Sequence, residues 1–241
     1  MKLFENEKGI VIHFQTAPTN VIMDTVKRTA DIKEVSGYII GMCTILTDGM
    51  SVSKLLAQYT SKPVIFDPCG GLDDDFYDGE PEEYERETAK AIARNFKAAM
   101  PLLTVCNPQN IEGILKALPD AGLVPIVKAE LTTPDFLEYF AKEKEPIKAV
   151  CKIAARHGAD HFWVPANDPE RIKTYRQLIE AETDKPVCYL LYSAFNRYIR
   201  FENVAAAAGP RWQAVAEREV WGARDPRASA LELAEIIRRS A

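Results

Sequence analysis

The sequence predicts an α/β fold of the TIM (β/α)8 barrel type, and three observations predict it. Short apolar runs alternate with longer amphipathic stretches along the chain, the runs number eight, and several of them end in polar or glycine-rich residues. Eight such units in 241 residues match the size and rhythm of a barrel, whose typical length is about 250 residues. A doubly wound sheet usually stops at about five to seven strands. One domain spanning residues 1–241 is therefore expected.

Taken in order, the first unit is a strand over 9–15 and a helix over 20–34, followed by a strand over 37–43 and a helix over 48–59. The third strand, 63–67, is a Pro-bounded apolar run ending in Asp67, Pro68, Cys69, Gly70 and Gly71. A buried parallel strand delivers polar side chains to its loop in this way. A helix over 81–98 follows, then strands over 101–106 and 123–131 with a helix over 108–118 between them. The rest reads as a helix over 146–157, a strand over 161–165, a helix over 169–182 and a strand over 186–192. A short weak helix over 201–208, a strand over 212–216 and a helix over 226–239 complete the pattern. Asn107-Pro108, Asp168-Pro169 and Asp225-Pro226 each place a capping side chain before a proline at the first helical position. Two connections, 70–80 and 192–201, are longer than the geometry requires. Both follow strands, so both are expected to overhang the active-site face as lids.

Composition narrows the function. A formal charge of −5, with no run of Lys and Arg interleaved with aromatics, argues against a nucleic-acid partner. No apolar stretch approaches the roughly 20 residues of a membrane helix, and the charged start lacks a signal-peptide core, so no membrane partner and a cytoplasmic location are expected. Five scattered cysteines exclude a disulfide scaffold and a sequence-local zinc motif. A small-molecule partner remains expected, and its site can still be locally basic.

Side chains alternate across a barrel strand, so an inward Asp67 puts Cys69 inward one layer higher. By the same parity Cys43 and Cys106, at the ends of strands two and four, lie at a similar height, with His13 and Gln15 flanking them. Three thiols and an imidazole form a zinc or iron-sulfur ligand set. The alternatives are cysteines packed as small hydrophobes, with no cofactor, and a single reactive thiolate at Cys69. The acidic loop from Asp73 to Asp78 is either a divalent-cation loop or a solvated charged surface. His157 and His161 fall at the end of a barrel opposite its chemistry and read as structural.

Three later stretches carry a resemblance. They are Ala129-Glu130-Leu131-Thr132-Thr133-Pro134, the run from Val164 through Asn167-Asp168-Pro169 to Ile172, and the run from Ala214 through Glu217-Arg218 to Asp225-Pro226. In order and spacing they resemble the orotidine 5'-monophosphate decarboxylase superfamily of phosphate-binding TIM barrels. The resemblance implies a lyase that decarboxylates or otherwise forms a carbanion on a small phosphorylated or carboxylated substrate, and it implies a homodimer. It places Arg218 at the phosphate-binding arginine, Thr132 at the position that bonds the pyrimidine ring, and Gln15 and Asn167 among the substrate contacts. The strand-three motif of that family, Asp-x-Lys-x-x-Asp, reads here from Asp67 to Asp73 with Cys69 at the Lys position. The Gly before Arg218 is Glu217, and the phosphate cradle after strand seven is replaced by a segment carrying Arg197. Lys128 is then the strand lysine able to take over, with Asp67 and Glu130 holding it charged. A catalytically degenerate barrel serving as a binding subunit is the reading from a different class.

Overall fold

The computed structural model describes residues 2–68, 83–100, 108–128, 145–195 and 198–240. Among the described residues nine parallel strands form a nearly closed barrel with helices between them. They are β1 (Lys8–Phe14), β2 (Val35–Gly41), β3 (Val64–Asp67), β4 (Ala98–Ala99), β5 (Val124–Pro125), β6 (Val127–Lys128), β7 (His161–Pro165), β8 (Cys188–Tyr192) and β9 (Trp212–Ala216). The described helices are α1 (Thr19–Thr29), α2 (Met42–Asp48), α3 (Val52–Leu56), α4 (Glu83–Ala93), α5 (Pro108–Asp120) and α6 (Glu145–Arg156). They continue with α7 (Pro169–Glu180), α8 (Phe201–Ala208), α9 (Arg218–Trp221) and α10 (Pro226–Arg239).

The ninth strand is the expected fifth one in two pieces. Val124–Pro125 pairs with β4 on one side, and Val127–Lys128 pairs with β7 on the other, so the chain around Ile126 closes the ring. Strand parity then sorts the core into two layers. Ile10, Ile12, Phe14, Tyr38, Ile40 and Phe66 face outward against the helices, while Val11, Ile39, Ile65, Met100, Ile126, Leu190 and Val215 fill the inside. Leu3 and Phe4 join the inner layer, so the N-terminal segment packs into the barrel core.

Several expected boundaries are corrected. The second strand stops at Gly41, where a Cβ would lie 2.8 Å from the Gln15 carbonyl oxygen and 3.1 Å from its Cα. Only glycine allows β1 and β2 to approach so closely there. The chain turns at once into α2, so Cys43 is not at a strand end: it is the second residue of a helix, and it is exposed. The helix expected over 48–59 is replaced by α2 and α3. A described strand lies at Ala98–Ala99, where the helix expected over 81–98 was to end; that helix stops at Ala93, and the strand expected over 101–106 lies outside the described residues. The remaining expected strands and helices recur with small shifts, and β7, β9, α8 and α10 have the expected bounds.

Candidate active site

Four of the strands end in, or lead directly into, a polar side chain that turns inward. Asp67 is the last residue of β3, Lys128 the last of β6, Tyr192 the last of β8, and Glu217 immediately follows β9. His13 lies one residue from the end of β1. All belong to the C-terminal face of the barrel, the end where βα loops assemble a site. Each occupies the inward parity of its strand, Asp67, Lys128, Tyr192, Glu217 and His13 lying two residues beyond Ile65, Ile126, Leu190, Val215 and Val11 respectively.

The centre is an ion pair. Lys128 Nζ donates to Asp67 Oδ1 at 2.7 Å, with side chains only 6% and 3% exposed. The pair crosses the barrel between strands 61 residues apart in sequence. Removed from water, an ammonium and a carboxylate each lose several kcal/mol of solvation, so the pairing compensates charges that neither strand could bury alone. Lys128 Nζ also lies 5.5 Å from the centre of the Trp163 ring, within reach of its π face. Trp163 leans on Tyr192, ring centres 4.9 Å apart, and meets the His13 ring edge-on at 5.9 Å.

Beyond Asp67 the polar chain continues. His13 Nε2 is 3.5 Å from Asp67 Oδ2, and His13 Nδ1 is 2.8 Å from Glu217 Oε1. Neither contact is aligned as a hydrogen bond, which leaves both ring nitrogens without one in a side chain that is 2% exposed. Tyr192 Oη donates to Glu217 Oε2 at 3.3 Å, and the Trp221 indole N–H donates to the His13 carbonyl at 3.0 Å. The Glu217 backbone N–H is held by Glu219 Oε2 at 2.9 Å. The rim is thereby tied to the floor of the mouth.

No protein-family model matches the sequence, and no curated protein matches it. Solved structures do match in fold. Orotidine 5'-monophosphate decarboxylase from Methanocaldococcus jannaschii, crystallised with the inhibitor BMP, superposes with a TM-score of 0.77 over 95% of this chain and 98% of that one, at 13% identity. The Pyrococcus horikoshii enzyme gives 0.73 at 15% identity, covering 95% and 99%. The Lactobacillus acidophilus enzyme gives 0.68 at 17%, covering 95% and 98%. The chain has the orotidine 5'-monophosphate decarboxylase fold. At this identity the likeness concerns the backbone, and the chemistry has to be argued from the side chains.

Of the residues singled out in the sequence, Asp67 and Lys128 meet in the barrel mouth. Gln15 follows β1 and is exposed, as is Asn167 in the turn after β7. Arg218 opens α9 at the rim, exposed, with its guanidinium 5.6 Å from the Trp221 ring. Cys69, Cys106, Glu130, Thr132 and Arg197 lie outside the described residues, as do the 70–80 connection and its acidic residues. The expected convergence of three thiols loses its first member, because an exposed helical Cys43 does not have the strand-end position that parity assigned to it. Among the described residues no group of three His, Cys, Asp or Glu side chains is arranged to hold a metal ion. Sequence reasoning passed over Glu217, Tyr192 and Trp163 as site residues and took His13 as the imidazole of the thiol ligand set. Counting in twos from the inward apolar residue of each strand was the signal that finds them.

Proposed function

We propose that the protein is an orotidine 5'-monophosphate decarboxylase-like lyase acting on a small phosphorylated or carboxylated substrate in the cytosol, with no cofactor. The observation that carries this reading is the buried Lys128–Asp67 pair at the C-terminal face. Loss of a carboxylate as CO2 leaves an electron pair on carbon, and the reaction completes when an acid delivers a proton there. Lys128 is the acid. Asp67 keeps the ammonium charged and aimed, and its own negative charge makes a substrate carboxylate nearby unfavourable while favouring the neutral product. Arg218, at the rim, takes the substrate's remaining anionic group as a charged donor. Retention of this pair supports catalysis over the degenerate-barrel alternative, since a binding subunit has no use for a buried ammonium that costs solvation.

The test is titration of the purified protein with orotidine and uridine monophosphates, BMP, and a panel of sugar phosphates, followed by CO2 release from the carboxylated members. Saturable binding that weakens in Arg218→Ala, with turnover abolished in Lys128→Met, is the expected result. No response to any nucleotide or sugar phosphate removes the reading. Assembly as a homodimer belongs to the same proposal and is read from light scattering on a sizing column.

A further inference from the structure

The Lys128–Asp67 pair accounts for one half of the polar mouth and leaves the other half, His13 with Glu217, without a task. Both of these are ionisable, and His13 is as deeply buried as the pair itself. We infer that Glu217 and His13 form a proton-supply path that recharges Lys128. Its purpose rests on the reading that Lys128 gives up a proton, whereas its existence can be measured without any substrate.

The argument starts from burial. An acid that donates once per turnover must recover a proton each time, and the Lys128 side chain is only 6% exposed. Its partner Asp67 is 3% exposed and His13 2%, whereas Glu217, the fourth member, is 24% exposed. The four groups touch in succession: Glu217 Oε1 is 2.8 Å from His13 Nδ1, His13 Nε2 is 3.5 Å from Asp67 Oδ2, and Asp67 Oδ1 is 2.7 Å from Lys128 Nζ. An imidazole can accept at one nitrogen while donating at the other, which is what a relay between two carboxylates requires. Tyr192 holds the far oxygen of Glu217 and turns the near one toward His13.

The proton balance is simple. Lys128, as the ammonium, transfers one proton to the substrate carbon and becomes the amine. Water protonates Glu217, which passes a proton to His13 Nδ1 as His13 Nε2 passes its own to Asp67 Oδ2. A half-turn of the Asp67 carboxyl presents that proton to Lys128 Nζ, restoring ammonium and carboxylate, and a rotation of the His13 ring that carries its Nδ1 proton to the Asp67 side resets the tautomer for the next turnover. One proton enters at Glu217 and one leaves on the product. His13 and Glu217 are positioning and relay residues, since neither needs to touch substrate.

The experiment follows the side-chain ammonium resonance of Lys128 by proton–nitrogen NMR in the full-length protein without ligand, assigned by its loss in Lys128→Met. Its exchange rate with water is compared among the wild type, Glu217→Gln and His13→Gln. Glu217 is partly exposed, so the first variant is expected to keep the native amide spectrum. The second tests the buried link. The path predicts exchange slower by about tenfold or more in Glu217→Gln, and in His13→Gln if it folds. Exchange unchanged in Glu217→Gln overturns the path, as does a wild-type ammonium exchanging at the rate of a surface lysine. Absence of turnover on every substrate tried, with exchange still dependent on Glu217, would instead count against the lyase reading alone.

Discussion

At the residue scale the ion pair of Lys128 and Asp67 carries the most consequence. Each partner is costly to bury alone, so removing one leaves an uncompensated charge. Lys128→Met is therefore expected to destabilise the protein by about 3–5 kcal/mol, read from urea unfolding. Replacing both, as Asp67→Leu with Lys128→Met, is expected to recover most of that loss, because no charge then remains to be solvated. Additive losses would show that the two side chains do not depend on each other. The same scale explains why Glu217 could not be placed from the chain alone. A carboxylate next to Arg218 looks like an intruder in a phosphate site, whereas in the folded protein it turns the other way, to His13 and Tyr192.

At the scale of elements, local chemistry and tertiary packing divide the work. Asp225 accepts from the backbone N–H groups of Arg227 and Ala228 and, with Pro226 at the first helical position, starts α10 where the sequence says it should. Asp225→Ala is expected to cost about 1 kcal/mol in thermal or urea unfolding with little change elsewhere. Asp168 caps α7 through Glu170 in the same way. Where no such local signal exists the boundaries moved. Nothing in residues 37–43 announces that a strand ends at Gly41, where the backbone of Gln15, just past β1, leaves no room for a Cβ. The position of Cys43, and with it the expected metal set, depended on that contact.

At the scale of the whole molecule, buried hydroxyls of the outward layer and a buried thiol of the inner layer make stability depend on alkaline pH. Burial raises the Tyr38 hydroxyl well above its ordinary value, the bond to Thr29 only partly opposing it, and burial likewise raises Tyr189, which also faces Glu180. Burial pushes the Cys188 thiol up from 9.0 to about 12. Each group is neutral when protonated, so above the unfolded value the native state holds a proton that the unfolded chain releases. Stability from these groups is complete below about pH 8.5, the ordinary thiol range, and falls as pH rises toward the native values. Urea unfolding between pH 8 and 11 should show this decline, and Tyr38→Phe should make it shallower. A flat profile would contradict the burial of these groups.

Much of the fold was legible in the chain. The alternation of apolar runs with amphipathic stretches, the Asn/Asp-Pro helix starts and the continuous hydrophobicity of the strands determined a parallel α/β barrel, since each is a local preference repeated at a fixed period. Taking Asp67 as inward agrees with the structure, where it meets Lys128 in the barrel mouth. No segment of the chain, however, states which strand its neighbour will be or how high each strand stands in the ring. The pairing of Lys128 with Asp67 was expected from the resemblance, but the turn of Glu217 toward a histidine more than 200 residues before it was decided only by ring closure at Ile126 and by the stagger of the strands. Such contacts are set by geometry shared among all the strands and leave no trace in any one of them.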